Sequence, residues 1–290
     1  MKKLLLIKNV DHKINEKILY SYWMDKNKIL KMNLPSSCYI LNDITFEEYN
    51  KMVFNKNYPK IYISVEPEVI ISNENFILNN YNNFHTIYTY NQNILDKCNN
   101  SKIFIPSSCW IDKIKYDNID LSKKKYEISN LSGSKEMCLA HTFRKHIHNN
   151  QDLLKNFPII FFISSMQKPL LEKKINNIFL NEDKFDLFEC FQFAIIIENT
   201  NQENCISEKI IDCLITKTIP IYYGAKNINK IFNTDGWIIL NNLDINELIE
   251  KLKNLNNEYY LNYINIIEYN YIEAKKYTDI YDNLINASNN

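Results

Sequence analysis

Glycine is almost missing from this chain of 290 residues: Gly133, Gly224 and Gly236 are all there is. That excludes collagen-like and glycine-linker segments. It also excludes the glycine-rich dinucleotide fingerprint, because each of these needs several glycines close together. Proline is sparse at seven residues and gathers into no linker. Net charge is absent too, since 34 Lys and Arg balance 34 Asp and Glu, so nothing in the overall field draws the chain onto a nucleic-acid backbone or an anionic membrane. No apolar run reaches the length of a membrane span or a signal-peptide core, and at the amino end residues 4–7 give way at once to charge. The seven cysteines contain no C-x-x-C pair and are odd in number, which reads as reduced thiols and not as a disulfide framework or a zinc site. These absences lead to the expectation of a cytoplasmic protein with no membrane span and no nucleic-acid partner, its oligomeric state left open.

What is present is bulk. Hydrophobic residues make up 46% of the chain and aromatics 13%, enough to core one large domain or two of ordinary size. Asparagine is the favoured polar residue, in pairs such as Asn79-Asn80 and Asn82-Asn83, so a single loop asparagine carries little information here.

Short β-rich runs alternate with amphipathic stretches along the whole chain. Residues 3–7, 37–41, 60–65, 86–90 and 102–105 read as strands, with helical patterns over 47–54 and 91–99 between them. The run Lys123-Lys124-Lys125 reads as a solvated connector. A second series follows it at 126–129, 159–164, 193–198, 218–222 and 237–240, and the continuous apolar run from Phe193 to Ile197 has the character of a buried parallel strand. A charged helical tail covers residues 246–286. Two such series predict an α/β protein of two Rossmann-like, doubly wound domains, residues 1–120 and 121–290, facing a cleft. In such folds ligands bind beyond the carboxyl ends of the strands.

Three places answer that description. After the strand ending at Glu198-Asn199, Ser207 is placed to cap a helix with Ile210, Ile211, Leu214 and Ile215 on its apolar face. Glu208 and Lys209 then fall in the first turn, where unpaired N–H groups and the helix dipole suit a diphosphate. The following strand runs into Gly224, a position that calls for positive φ or close approach by a ligand. An ordinary strand-helix-strand unit with a surface Glu-Lys pair explains the same spacing equally well. Secondly, Ser132-Gly133-Ser134-Lys135 leads into a helix over residues 136–148 on which His141, Arg144 and His148 share a face. Arg144 is placed to reach a phosphate, whereas the histidines read as part of a solvated basic face. His141, His146 and His148 lack the i, i+4 pair and the nearby carboxylate of a zinc helix, so no metal is expected. Thirdly, Glu66 follows a strand end in the first half and suits a general base acting on an acceptor hydroxyl, with Glu68 as a competitor.

These segments together resemble the α1,3-fucosyltransferase family, glycosyltransferase family ten. Glu198-Asn199-Thr200, Ser207-Glu208-Lys209-Ile210-Ile211-Asp212 and Thr218-Ile219-Pro220-Ile221-Tyr222-Tyr223-Gly224 follow the family's donor-binding pattern of F-E-N-S, a tyrosine, V-T-E-K and a V-P-V-x-x-G strand. Ser64-Val65-Glu66-Pro67, the segment from Thr86 to Asn91, and Ala140-His141 with Arg144 resemble three further family segments in order and spacing. Residues 60–233 are covered, and the donor pattern is the specific part.

The resemblance implies a GT-B fold with an acceptor-binding domain followed by a nucleotide-sugar domain carrying C-terminal helices. It implies an inverting transferase that moves fucose, or a related sugar, from a GDP-sugar such as GDP-fucose to a hydroxyl of a glycan, with no metal or other cofactor. Carried across by position, Arg144 and Lys209 match the diphosphate-binding cations, Asn199 a phosphate-contacting amide, Glu208 the acid near the ribose and Glu66 the base, with Ser207 and Gly224 in the same donor segment. Two positions depart from the family. Cys205 stands where a tyrosine is expected, and Ala140 where a glycine is. A transferase of a different nucleotide-sugar, or an inactive nucleotide- or glycan-binding descendant, are the alternatives these departures keep open.

Overall fold

In the computed structural model, residues 3–8, 26–29, 31–35, 37–164, 177–180 and 183–289 are described. The chain forms two compact units, one made of Met1–Pro106, Gln202–Cys205 and Asp279–Asn290, the other of Ser107–Asn201 and Ile206–Thr278.

In the first unit β1 (Lys3–Lys8), β2 (Ser37–Asn42), β3 (Lys60–Ile63), β4 (Thr86–Thr89) and β5 (Ser101–Ile103) pair in parallel, in the order of the chain itself. Successive side chains point to opposite faces. Tyr39, Leu41, Tyr62 and Ile87 therefore pack with Phe76, Ile77 and Ile94 of the helices Glu74–Asn80 and Gln92–Lys97. Cys38, Ile40, Ile61, Ile63 and Tyr88 face the other way, onto Ile29 and onto Leu284 and Ala287 of the last helix, Ile280–Asn289. That second layer is why the chain comes back. Without the terminal helix, part of a fully apolar sheet face would be left to water.

Between the units the division falls at Pro106/Ser107 and the C-terminal residues rejoin the first unit, whereas the sequence pattern suggests a limit near 120 and a tail that stays with the second domain. An amphipathic tail shows that it has a face to bury, not which sheet it will bury it on.

The second unit holds β6 (Lys125–Ser132), β7 (Ile159–Ile163), β8 (Asn177–Phe179), β9 (Phe191–Ile197), β10 (Ile219–Tyr223) and β11 (Ile238–Ile239), all parallel, in the order β11-β10-β9-β6-β7-β8. From β6 the chain winds outward through β7 and β8, then crosses back to β9 and winds the other way, so the order reverses between β6 and β9. Strand β9 is buried along its whole length. Ile128, Phe193, Ile195 and Ile221 form the core with Phe143 and Ile147 of the Leu139–Asn149 helix and with Tyr260.

The lysine run is no solvated connector. Lys124 is buried, and its ammonium donates to the carbonyls of Phe188 (2.7 Å) and Phe191 (3.0 Å) and to Thr218 Oγ1 (2.7 Å). Burial pulls its pKa down to about 7. Three fixed acceptors at the bottom of β9 and β10 make this place for a lysine, and nothing in a run of three like residues marks the middle one.

Candidate functional site

A cavity of about 280 Å³ lies in the second unit, lined by Ser129 and Leu131 of β6 and by Ala194, Ile195, Ile196 and Ile197 of β9. It is therefore at the strand-order reversal, where adjacent crossovers leave on opposite faces and open a crevice. Polar groups converge on it from three directions.

The first is the Glu208–Ile215 helix. Its inner side chains Ile210, Ile211, Leu214 and Ile215 are buried, and Ser207 caps it from an extended backbone, Oγ accepting from Lys209 N–H at 3.3 Å. Glu198, the buried residue just after β9, fixes that cap: its carboxylate accepts from Ser207 N–H (3.1 Å) and from Ser207 Oγ–H (2.7 Å). Lys209 Nζ lies 3.0 Å from Ser207 Oγ, 3.3 Å from Glu208 Oε1 and 3.6 Å from Glu198 Oε2. Burial alone would lower the Lys209 pKa, but the carboxylates of Glu208 and Glu198 outweigh it and raise it. Burial likewise works against the Glu208 carboxylate, and the ammoniums of Lys209 and Lys184 reverse it, holding that group at about 2. Both side chains are charged at neutral pH.

From the second direction comes the Leu139–Asn149 helix. Arg144 donates through Nη1 to the Ile197 carbonyl and through Nη2 to Asn199 Oδ1 at 3.0 Å. Because Oδ1 of Asn199 is taken, its Nδ2 end is the one that can donate to a ligand. His141 also lines the cavity; its Nδ1 accepts from Met137 N–H at 3.2 Å. Burial, then the charges of Arg144, Lys135 and Lys209, push its pKa down to about 4. His148 is fully buried and meets Phe161 edge-on at 6.3 Å. The expectation of a solvated basic face thus fails for His141 and His148, with only His146 exposed. Their i and i+7 positions lie beside Ala140, Phe143 and Ile147, on the stripe the helix turns to the sheet.

The third direction was not foreseen. Trp110, Lys184 and Asp212 also line the cavity. Lys184 Nζ is 3.5 Å from both Glu208 Oε1 and Asp212 Oδ2, and 3.9 Å from the centre of the Trp110 ring. Asp212 Oδ1 accepts from the Trp110 backbone N–H at 2.7 Å. Burial raises the Asp212 pKa to about 6, against the pull of Lys184. Asp212 follows Glu208 by four residues, one turn along the same helix face, so its spacing held a signal; Trp110 and Lys184 are remote in the chain and offered none.

Gly224 does not line the cavity. A Cβ there would lie 2.2 Å from Tyr222 Oη and 2.8 Å from Glu198 Cγ, and positive φ belongs to Gly236, at 76°. Gly224 is thus required by the packing of Glu198, the residue that holds the Ser207 cap.

Glu66 belongs to the first unit, beyond the end of β3, with its side chain exposed. Its backbone is pinned. Val65 N–H and Glu66 N–H donate to the two oxygens of buried Asp43 (2.9 and 3.1 Å), and Tyr90 Oη–H donates to the Glu66 carbonyl at 3.1 Å. Asp43 holds φ 47°, and burial pushes its pKa up to about 7. Glu68 is committed to its own loop, accepting from Asn73 N–H at 3.0 and 3.2 Å. Of the two departures, Cys205 is buried in the Gln202–Cys205 segment that packs with the first unit, and Ala140 is buried in the second core. Among the described residues no group of three His, Cys, Asp or Glu is placed to hold a metal ion, and no helix is long and apolar enough to cross a membrane.

Residues 151–281 match the family model described as glycosyltransferase family 10 (fucosyltransferase), C-terminal part, a span that contains Glu198, Asn199, Ser207, Glu208 and Lys209. Over 83 residues the chain is 36% identical to the α-(1,3)-fucosyltransferase FucT of Helicobacter pylori. Over these spans the chain is similar to glycosyltransferase family 10 proteins. The aligned stretch amounts to 28% of this chain and 16% of that relative's length. Among solved structures, an α1,3-fucosyltransferase with GDP-fucose superposes with a TM-score of 0.51 at 15% identity, covering 90% of this chain and 81% of the other. A UDP-forming α,α-trehalose-phosphate synthase from Burkholderia xenovorans superposes with a TM-score of 0.53 at 9% identity, covering 88% and 74%. The likeness to these two is one of fold: an α/β architecture of the GT-B type, built from parallel sheets.

Proposed function

We propose that this chain is an inverting glycosyltransferase of family 10 that moves fucose from GDP-fucose to a hydroxyl of a glycan. The observation that carries the reading is the cavity at the β6/β9 reversal, where Arg144, Lys209, Asn199 and a capped helix N-terminus converge. A sugar-nucleotide needs such a place. As the bond from the anomeric carbon to the diphosphate oxygen breaks, its electron pair leaves with the diphosphate, and fixed cations with helix N–H groups stabilise the growing charge. Lys209 is held by Glu198 and Glu208, and Arg144 by a carbonyl and an amide oxygen, so both cations are fixed in place and little reorganisation is left.

In this reading Arg144, Lys209 and Asn199 bind the diphosphate, Ser207 holds the helix start, and Glu208 binds the ribose hydroxyls. Gly224 acts from behind by letting Glu198 reach the cap. Glu66 takes the proton of the acceptor hydroxyl as its oxygen attacks the anomeric carbon from the face opposite the leaving group. The pinned backbone of Glu66, with its carboxylate in solvent, supports that role.

Calorimetric titration with GDP, UDP and CDP, with and without divalent metal, followed by GDP-fucose turnover on a panel of glycans, tests the proposal. Metal-independent GDP binding and fucose transfer are expected. Binding without transfer or donor hydrolysis would point to a nucleotide-binding descendant instead, and preference for another base would remove the fucosyl reading.

A further inference from the structure

Between Asn199 and Ser207 the chain leaves the second unit for four residues, Gln202–Cys205, which pack with the first, and then returns. Both ends of this excursion are tied within the second unit: Asn199 Oδ1 accepts from Arg144, and the Ser207 N–H and hydroxyl donate to Glu198. The excursion itself is tied by Asn204. Its Nδ2 donates to the Tyr90 carbonyl and to Gln92 Oε1, each at 3.2 Å. Gln92 Nε2 is spent on Asp96 Oδ1 at 2.7 Å, so Gln92 turns its oxygen to Asn204 and only a donor fits there. Asn204 is buried and holds φ 61°, in the left-handed region that glycine, asparagine and aspartate enter most readily. Of those three, only asparagine has a side-chain N–H to give. This asparagine, in a chain full of them, therefore has a fixed task.

We propose that Asn204 is a positioning residue for the transfer step: it fixes Tyr90, and Tyr90 fixes Glu66. This rests on the transferase reading above and adds a residue that acts on the base from outside the strand-end segment that carries it. Tyr90 is buried and held at both ends, its carbonyl by Asn204 and its hydroxyl by donating to the Glu66 carbonyl at 3.1 Å. Glu66 has its side chain exposed, so its place is decided by its main chain. Without the Asn204 amide the turn at Tyr90 loses an anchor, and the base drifts from the acceptor hydroxyl, where a misplacement of about 1 Å can cost on the order of 10²-fold in rate. The diphosphate end does not depend on Asn204, because Arg144 and Glu198 hold Asn199 and Ser207 on their own.

Two substitutions separate the amide from the backbone. Asn204→Gly keeps the left-handed φ without strain and removes only the side chain. Asn204→Asp keeps the size but sets a carboxylate oxygen against two acceptors. The test is GDP-fucose turnover on the glycan panel together with calorimetric titration of GDP, for each variant alone and combined with Glu66→Gln. Each variant alone is expected to lower kcat by roughly tenfold, with the dissociation constant for GDP within about twofold of wild type. Combined with Glu66→Gln, neither is expected to lower kcat further. That last readout marks positioning, since a general weakening of the fold would add its loss in either background.

A wild type that transfers no fucose would overturn the transferase reading and this inference with it. Where the wild type does transfer, three results would overturn the role of Asn204 alone: a folded Asn204→Gly with wild-type kcat, a loss that appears in GDP affinity instead, or an equal loss of kcat in the Glu66→Gln background. Should Asn204→Gly fail to fold, Asn204→Asp is judged on the same three results.

Discussion

The two parallel sheets of this chain are wound differently, and their chemistry differs in step. In the second unit the strand order turns back between β6 and β9, and around that turn Arg144, Glu198, Glu208, Lys209, Lys184 and Asp212 interlock, each charge held by another or by a backbone group. The first sheet runs in chain order with no reversal, and its single proposed catalytic group, Glu66, is an exposed carboxylate held only through its backbone. One unit arranges side chains around a ligand site; the other arranges a stretch of main chain and leaves the side chain loose. A leaving diphosphate needs several fixed charges at once, whereas a base needs one group that can meet an incoming hydroxyl.

The largest effect is therefore expected from the loose group. Glu66→Gln should lower kcat by roughly 10² to 10⁴-fold, with the dissociation constant for GDP-fucose within about twofold of wild type. Rapid-quench turnover alongside calorimetry reads both quantities. Full turnover in the variant would take the base away from the first unit and break the comparison there.

Next come the charges of the second unit. Lys209→Ala should weaken GDP-fucose binding by roughly ten- to hundredfold, the value of one or two charge-assisted hydrogen bonds, and it leaves Glu208 and Glu198 without their shared counter-ion. Arg144→Ala should do the same and also release Asn199, whose Oδ1 it holds at 3.0 Å. Equal affinities across wild type and both variants, measured by titration, would mean that the interlocked network serves folding alone.

Gly224→Ala reaches the same network indirectly. Its Cβ would lie 2.8 Å from Glu198 Cγ and 2.2 Å from Tyr222 Oη, so one of them must move, at a cost of about 1 to 3 kcal/mol. Urea unfolding should show the loss, and donor affinity should fall with it because Glu198 carries the Ser207 cap. Unchanged stability would show that Tyr222 can swing aside freely.

How much of this was legible in advance follows the same contrast. Strand runs such as 193–197 and the start of the helix at Ser207 are local, written in hydrophobic pattern and capping, and the folded chain has β9 at Phe191–Ile197 and a helix from Glu208. So are Glu208 and Lys209, since first-turn positions follow from the cap. Lys184, Trp110 and Asp43 were not legible, because their meaning comes from partners far along the chain. Asp43 matters through the N–H groups of Val65 and Glu66, and Lys184 through Asp212. The solvated reading of Lys124 and of His148 failed for one reason: charge and polarity in a sequence report what a side chain can do in water, and both are buried where the sheet supplies their surroundings.

Asp43 gives the smallest effect on turnover and the clearest on stability. Its pKa stands at about 7 in the folded chain, against 3.8 for an aspartate free in water. Burial is the main cause, only partly offset by the N–H groups of Val65 and Glu66. A carboxyl raised on folding holds its proton more tightly in the native state. Its contribution to stability is thus complete below about pH 4 and is lost as the pH climbs through about 7. Asp43→Asn removes that titration. Urea midpoints between pH 4 and 8 should then slope less in the variant than in the wild type, by up to about 1.4 kcal/mol per pH unit where Asp43 titrates. The variant should also start from a lower value at acid pH, since an amide oxygen can accept from only one of the two N–H groups directly opposite it. Turnover should fall only a few-fold, because Tyr90 still holds the Glu66 carbonyl. Parallel slopes would mean that Asp43 is ionised throughout, and that the main chain before Glu66 is fixed by a permanent charge.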